Sequence, residues 1–278
     1  MRHDDRRDFF VRFWGVRGSI PCPGPDTIRY GGNTSCLEVR CGDRLFILDG
    51  GTGLRLLDRA LGDGPIDADV LFTHSHLDHV NGWSYFSRLK DPRHRIGVWA
   101  GHLGPSHRLA DVLARFLADP LAPVHVGNVQ AALTYHEFRS GDRLRPRDDV
   151  LVRTAPLNHP NNATGYRIEF GGRALCYVTD TEHTPGRPDD TIMDLIEGAD
   201  IVIYDSTYTD AAYPDFVGWG HSTWQEGVRL AEAAGVHTFV AFHHDPNHDD
   251  AAMDAIAQAL SAARPGSIVA REGMVLRP

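Results

Sequence analysis

Four side chains that can bind a metal ion lie within six consecutive positions, 74–79, of the stretch VLFTHSHLDHVNG: His74, His76, Asp78 and His79. The apolar run at residues 70–72 is typical of a strand buried on both faces. Residues two apart on an extended chain point to the same side, so His74 and His76 face together. We predict a helix over residues 79–89, whose start brings Asp78 and His79 to the same point. Such imidazole and carboxylate groups suit zinc and similar divalent ions, so the spacing predicts a metal site rather than a solvated loop end.

Ten strand-like runs and several amphipathic helices must position this cluster. The strands are FFVRFWG, CLEVRC, RLFILDG, DVLFTH, IGVWAG, DVLVRTAP, TGYRIEF, RALCYVTD, DIVIYDS and HTFVAFHH. Helical spacing occurs at Leu109, Val112, Leu113 and Phe116, and again at Met253, Ile256, Ala257 and Leu260. Early strands follow one another like hairpins, whereas later ones alternate with helices. This order predicts an α/β protein in which helices cover two layered sheets, with residues 1–278 in one domain.

The composition limits the partners of the protein. The 278 residues carry a formal net charge of −9 without a dense block of Lys or Arg, which argues against a long nucleic-acid footprint. A small anionic substrate stays compatible if metal ions supply local positive charge. No apolar run approaches the roughly 20 residues that span a bilayer, and the start lacks a signal-type apolar core. We therefore expect a protein that does not bind membranes. The cysteines show no spacing typical of a disulfide framework, so we expect reduced thiols in a cytoplasmic protein; they are Cys22, Cys36, Cys41 and Cys176.

Further residues that can bind a metal stand at the ends of predicted strands. They are His159 in VRTAPLNHP, Asp180 in ALCYVTD, Asp205 in VIYDS and the doublet His243 and His244 in FVAFHH. Open α/β sheets gather their sites at the carboxyl ends of strands, so these ends can share one edge. Neighbouring strand residues face opposite ways, and only one residue of the doublet is therefore expected to reach a metal. Two metal ions about 4 Å apart need roughly six to eight ligands and a bridging carboxylate, which this set can supply.

The order H-x-H-x-D-H, a distant His, an Asp that ends a strand and a late His resembles the metallo-β-lactamase fold hydrolases. The resemblance covers nearly the whole chain, from FWGVRGSIPCPGPDTIRYGGNTS to AFHHDPNHDD. It implies an αββα four-layer sandwich and two divalent metal ions per chain, for which zinc, manganese or iron would suit the ligands. The implied ligands are His74, His76 and His159 for one ion, Asp78, His79 and His243 for the other, and Asp180 as the bridge. Asp49, in LDGGTG, matches an aspartate that lies behind the ligands and orients one of them.

The same resemblance narrows the chemistry. β-Lactamases of this fold typically place a cysteine where this chain has Asp180, and Cys176 lies four residues earlier within a predicted strand. In GWGHSTWQEGVRLAEAAGV, Ser222 and Gln225 are spaced as a helix capping box, which places His221 before a helix N-terminus that can bind an anion. This segment resembles the His-Ser-Thr stretch of tRNA 3′-processing endonucleases and related phosphodiesterases, in which that histidine donates a proton. The alternative is a histidine that merely flanks the helix cap.

The length of one connection favours the compact phosphodiesterases. The tRNA-processing enzymes usually insert a long arm before the fourth motif, whereas only PNNATGYRIEFGGRALCYVT separates His159 from Asp180 here. The resemblance thus implies hydrolysis of a small anionic phosphodiester, with a cyclic nucleotide as the first candidate, by a hydroxide that bridges the metals. The expected catalytic residues are His221 as proton donor, Asp78, and His183, which follows Asp180 closely enough to contact substrate.

Several alternatives stay open from the sequence. The protein could instead be a thioester or lactone hydrolase of the same fold, a tRNA 3′-processing endonuclease, or a metal-bound sensor. The formation of a homodimer is also open. The sequence does not assign roles to Glu182 and His244, nor does it place Arg17, Asn33 and Thr34 of the Gly-rich early loops.

Overall fold

The computed structural model describes residues 8–120 and 128–278, and in this part of the chain two seven-stranded sheets pack face to face. The first sheet has the strand order β14-β1-β2-β3-β4-β5-β6. Its strands are β1 (Phe9–Gly15), β2 (Cys36–Cys41), β3 (Arg44–Leu48), β4 (Asp67–Phe72), β5 (Arg95–Ala100), β6 (Ala132–Glu137) and β14 (Val275–Leu276). The pairs from β14 to β3 are antiparallel, whereas β3, β4, β5 and β6 run parallel.

The second sheet has the order β13-β12-β11-β10-β9-β8-β7. Its strands are β7 (Arg143–Arg147), β8 (Val150–Leu157), β9 (Ala163–Phe170), β10 (Arg173–Val178), β11 (Ile201–Asp205), β12 (Thr238–Phe242) and β13 (Ile268–Val269). Strands β10 to β13 are parallel, and the hairpins from β7 to β10 are antiparallel. Because β8 and β10 both pair antiparallel with β9, they point the same way and end at the same edge.

Helices cover the outer faces of both sheets. They are α1 (Leu54–Ala60), α2 (Leu77–Val80), α3 (Leu109–Arg115), α4 (Asp190–Ile196), α5 (Trp224–Ala233) and α6 (Asp250–Ala263). The first three share a buried apolar cluster with the first sheet, and the last three share another with the second sheet. A third cluster fills the space between the sheets. The predicted α/β class and four-layer sandwich are confirmed, while the extent of one domain over residues 1–278 stays a prediction.

The strand that leads to the histidine cluster is buried on both faces, as predicted. Val70 and Phe72 of β4 pack in the outer cluster, and Leu71 between them packs in the core between the sheets. Apolar side chains on alternate faces of a strand meet both layers at once, which fixes its register. The residues after Phe72 therefore leave the sheet at a defined point.

The predicted helix over residues 79–89 is wrong. The chain instead forms the short helix α2, followed by single 3₁₀ turns at Trp83–Tyr85 and Ser87–Lys90. The cause lies at Gly82, whose amide would bond to the carbonyl of Asp78 in a continuous helix but donates to the carbonyl of Gly50. A Cβ atom on Gly82 would lie 2.1 Å from the carbonyl oxygen of Gly51, so the two backbones approach too closely for any other residue. This contact between loops overrides the helical pattern.

The predicted helix cap at Ser222 is displaced by one residue. Thr223 is the N-cap of α5, and its side chain accepts a hydrogen bond from the amide of Glu226. Ser222 is buried, and its hydroxyl lies 3.0 Å from that of Tyr204. The helix ends just before Gly235, which has a φ of 65°. Among the described helices, none combines the length and apolar character that a membrane span requires.

Candidate metal centre

Side chains from both sheets converge beyond the carboxyl ends of β4, β8, β10 and β12. Donor atoms of His74, His76 and His159 lie within 4.8 Å of one another, and a second group that meets this limit contains Asp78, His79, Asp180 and His243. The structure thus brings together all seven residues that were predicted as metal ligands. Their assignment as ligands stays a prediction.

Asp180 belongs to the second group and also lies close to the first. Its Oδ1 atom is 3.9 Å from Nε2 of His74 and 3.7 Å from Nε2 of His159. Its Oδ2 atom is 3.2 Å from Nε2 of His79. Donors that share a metal ion at about 2.1 Å each lie roughly 3 to 4 Å apart, so these separations suit common ligation. The position is the one that a bridging carboxylate requires.

Hydrogen bonds to Nδ1 orient three of the imidazoles. Nδ1 of His79 lies 2.8 Å from Oδ2 of Asp49, and Nδ1 of His159 lies 2.7 Å from the carbonyl oxygen of Gly220. Nδ1 of His243 lies 3.1 Å from the hydroxyl of Thr207. Each contact turns the Nε2 atom of the ring toward the centre, the usual way in which outer groups fix a metal-binding histidine. Asp49 is thus placed to orient His79, and its orienting role stays a prediction.

The donor set fits divalent metal ions. The Nε2 atom of His74 is buried and has no hydrogen-bond partner among the described residues. A buried polar atom without a partner costs about 1–3 kcal/mol, which a bound cation would relieve. Burial, reinforced by His79, holds the pKa of His74 well below its usual value, so that this imidazole is neutral and has a lone pair to offer. We conclude that these residues can hold divalent metal ions.

The two carboxylates at the centre are ionised. Burial alone would raise the pKa of Asp78, but the neighbouring His79 and His243 outweigh it and lower the pKa. Burial opposes ionisation of Asp180 too, and His243 and His79 again hold its pKa well below the usual value. The centre therefore offers two carboxylate donors beside the inward-facing imidazoles.

The histidine doublet divides as predicted from strand geometry. Nε2 of His243 lies 3.4 Å from Oδ2 of Asp78 and 3.3 Å from Oδ1 of Asp180. His244 points away, and its Nε2 lies 2.9 Å from the carbonyl oxygen of Ala270. Burial is the main cause that lowers the pKa of His244 to about 3, so this ring is neutral and packs in the protein.

Strained backbone is concentrated around the centre. Six non-glycine residues in the described part of the chain have a φ near +60°: Ser19, Asp49, Asn161, Asn162, Asp180 and His243. Three of them are predicted site residues, and the amide of Ser19 donates to Oδ2 of Asp78 over 2.8 Å. The side-chain amide of Asn161 lies 3.2 Å from Nε2 of His76. Each such conformation costs of order 1 kcal/mol or more and persists only where surrounding contacts impose it.

His221 stands at the rim of the second group, held by a carboxylate. Its Nδ1 lies 2.9 Å from Oδ2 of Asp205, and its ring centroid is 5.0 Å from that of His243. Burial alone would lower the pKa of His221, but the charge of Asp205 and the hydrogen bond to it raise the pKa to about 9. The contact with Asp205 thus favours the protonated form of His221 beside the candidate metal ligands. The sequence indicated its place before α5 but gave no reason to expect this partner.

Asp205 is the residue whose role sequence reasoning missed. It was recognised as a strand end that can bind metal, yet it had no part in the predicted site. In the structure it is fully buried and accepts hydrogen bonds from the amides of Asp180 and Thr207 while it holds His221. The available signal was positional, because Asp205 ends the strand next to the one that leads to Asp180.

His183 is not among the clustered donors. Its ring stacks on Tyr213 with centroids 4.3 Å apart, and its Nδ1 lies 2.9 Å from the hydroxyl of Ser222. Its contact with substrate stays a prediction. The neighbouring Glu182 receives hydrogen bonds from the amides of Gly218 and Gly220.

The early Gly-rich loops, which carry Arg17, Asn33 and Thr34, form hydrogen bonds with segments around the centre. The buried Arg17 donates to the carbonyl oxygens of Gly31, Asp245 and His248, which ties the chain after His243 to the first sheet. Asn33 pairs with Glu272, and the hydroxyl of Thr34 accepts from the amide of Thr52. These residues brace the loops around the site.

Comparison with known proteins agrees with this geometry. Residues 44–244 match the family model described as the beta-lactamase superfamily domain. The chain belongs to the beta-lactamase superfamily. It is 30% identical over 245 residues to a ribonuclease Z of Mycobacterium tuberculosis (strain ATCC 25177 / H37Ra), an alignment that covers 81% of this chain and 82% of the relative. The predicted enzyme class, a metal-dependent hydrolase of this superfamily, is confirmed.

Two solved structures share the fold of this chain. A diphosphatase from the PhnP family superposes with a TM-score of 0.71 at 18% identity and covers 97% of this chain and 98% of its own. The short form of human tRNase Z superposes with a TM-score of 0.69 at 19% identity, over 96% of this chain and 98% of its own. At these identities the likeness establishes the fold alone.

Proposed function

We propose that the protein is a phosphodiesterase with two divalent metal ions per chain that hydrolyses a small phosphodiester, with a cyclic nucleotide as the first candidate. His74, His76 and His159 would hold one ion, Asp78, His79 and His243 the other, and Asp180 would serve both. Zinc suits these ligands, and manganese or iron are also compatible with them. The observation that carries the proposal is the place of His221, whose Nδ1 lies 2.9 Å from Oδ2 of Asp205 at the rim of the two donor groups.

The chain's own residues supply the acid for the reaction. Two divalent ions in such a site provide a water of lowered pKa and screen charge on the phosphoryl oxygens. His221 donates its proton from Nε2 to the leaving ester oxygen, because Nδ1 is already engaged by Asp205. Asp205 keeps the ring turned toward the cluster and stabilises its positive charge. The bond between phosphorus and the leaving oxygen can then break without release of a free alkoxide.

Two features support a small substrate. The hairpin of β9 and β10 makes up nearly all of the connection between His159 and Asp180, and the structure describes every residue of this connection. No arm extends from it to grip a large RNA. The net charge of −9 also disfavours a long polyanion.

The relatives favour a second candidate, removal of extra nucleotides from the 3′ end of a tRNA precursor. The M. tuberculosis protein named ribonuclease Z is 30% identical to this chain, which is enough to keep RNA under consideration. Both reactions break a phosphodiester with a poor leaving group and would use the same centre. They differ in what must be bound around it.

A substrate panel with the metal-reconstituted protein separates the two candidates. We expect hydrolysis of 2′,3′- or 3′,5′-cyclic nucleotides with a higher kcat/KM than that for a tRNA precursor with a 3′ extension. A simple thioester and a lactone complete the panel. Preferred cleavage of the precursor would assign the second candidate, and turnover of thioester or lactone alone would reject phosphodiester chemistry.

A further inference from the structure

An aromatic run leads from His221 out to solvent. The ring of Tyr208 lies 6.1 Å from that of His221, and Phe216 stacks on Tyr208 with centroids 4.3 Å apart. Trp219 packs edge-on against Phe216 at 5.6 Å. Exposure increases along the run: Tyr208 is 6% exposed, Phe216 is half-buried, and Trp219 is 63% exposed. We call Tyr208, Phe216 and Trp219 the aromatic lip.

The loop that carries the outer part of the lip is held firmly. Both carboxylate oxygens of Glu182 accept hydrogen bonds from this loop, donated by the backbone amides of Gly218 and Gly220 over 2.7 Å each. Tyr213 donates its hydroxyl to the carbonyl oxygen of His183 over 2.8 Å. The carbonyl oxygen of Gly220 in turn accepts a hydrogen bond from Nδ1 of His159. The exposed indole therefore stands on a loop that is tied to one of the candidate metal ligands, which fixes the position of the loop backbone relative to the centre.

We propose that the aromatic lip binds the base of the nucleoside that carries the leaving oxygen, by stacking on Trp219. This inference rests on the proposed function, since His221 marks the side on which the leaving group departs. A base attached to that sugar lies next to the ring run that begins at His221. Stacking requires only a flat face, which every nucleobase has, and carries little preference for sequence.

The size and setting of the lip argue for a base rather than a protein partner. Trp219 and Val217, which is 62% exposed, are the large apolar side chains that the loop between Tyr213 and His221 leaves exposed. Stable protein interfaces usually bury about 800 Å² per partner, much more than two side chains provide. The single exposed indole at the outer end of the lip matches the area of one ring system.

The test compares substrates with and without a base. For a cyclic nucleotide, Trp219→Ala should raise KM about 10-fold with kcat little changed, the scale of one lost base stack. For ribose cyclic phosphate, which lacks the base, KM should not change. Trp219→Phe should retain most of the affinity because it keeps a flat ring. Tyr135→Ala, which removes an exposed ring on β6 in the other sheet, should leave both substrates unaffected.

A binding measurement on the metal-loaded protein makes the lip testable apart from turnover. Adenosine monophosphate should bind Trp219→Ala about 10-fold more weakly than it binds the unaltered protein, whereas ribose phosphate should bind both alike. Equal losses for the two probes, or no loss, would overturn the proposal. So would a change of oligomeric state in Trp219→Ala without a change in KM. Base-dependent binding in a protein that hydrolyses no phosphodiester would retain the lip and reject the proposed function.

Discussion

The proton of His221 matters only when the leaving oxygen needs it. The conjugate acid of a ribose alkoxide has a pKa far above neutrality, so this oxygen must be protonated as it leaves, whereas a nitrophenolate departs without help. We therefore expect His221→Ala to slow hydrolysis of a cyclic nucleotide by about 10² or more. Hydrolysis of bis(p-nitrophenyl) phosphate should fall far less, and the number of bound ions should not change. Both rates and the metal content are to be measured on the same preparation.

Asp205 provides the matched variant for this prediction. Asp205→Asn keeps the shape of the side chain but removes the charge that stabilises protonated His221. It should reproduce the selective loss on the cyclic nucleotide. If His221→Ala instead slows both substrates equally, the histidine is a structural flank of α5 and the proton-donor role is wrong.

The adjacent histidines 243 and 244 should behave in opposite ways on substitution. His243→Ala removes a donor that lies within 3.4 Å of Asp78 and Asp180, so the protein should lose one ion and its activity. His244→Ala removes a buried hydrogen bond to Ala270, which should reduce the free energy of unfolding by about 1–3 kcal/mol while both ions remain. Metal analysis and thermal unfolding of the two variants check this. The reverse pattern of metal content would place the wrong histidine at the centre.

At the scale of the elements, close contact between loops shapes the centre. Gly18, in the loop after β1, lies against the ring of His243: a Cβ atom at this position would be 2.3 Å from the Cε1 atom of His243. Gly18→Ala should therefore displace that imidazole, which would cost the second ion and most of the activity. The first ion should stay, because His74, His76 and His159 are untouched. Ions per chain and rate are the measurements.

Gly24→Ala is the matched control, since a Cβ atom there meets nothing within 4 Å. This variant should bind two ions and retain its activity. Equal effects of the two substitutions would show that Gly18 acts through general loop stability rather than through the ring of His243.

The strands and their ends could be predicted from sequence, but the contacts between loops could not. Alternating apolar and polar residues and continuous apolar runs located ten strands, because a buried strand has a local sequence pattern. The four edge strands, β6, β7, β13 and β14, were not predicted. The prediction of a helix over residues 79–89 was wrong because the amide of Gly82 donates a hydrogen bond to the carbonyl of Gly50, in a loop some thirty residues earlier in the chain. The role of Asp205 was missed for the same reason, since its partner His221 is supplied by a separate loop.

For the whole molecule, the centre connects the two sheets. The loops after β3 and β4 of the first sheet carry Asp49 and the 74–79 cluster. The loops of the second sheet carry His159, Asp180 and His243. Ions bound by both groups would therefore join the sheets at this edge, where buried carboxylates otherwise face one another. Metal binding and the stability of the sandwich should be linked.

Removal of the metal should destabilise the whole fold. A ligand that binds only the folded state adds about 2.7 kcal/mol per site at a free concentration 100 times its Kd. Chelation should thus lower the Tm, and restoring zinc or manganese should raise it until two ions are bound per chain. In Asp180→Asn, which keeps a residue type tolerated at a φ of 61° but loses the charge, added metal should raise the Tm much less. Thermal unfolding in parallel with metal analysis tests the linkage. A Tm of the unaltered protein that does not respond to metal, or saturation at one ion, would contradict a centre that binds two ions between the sheets.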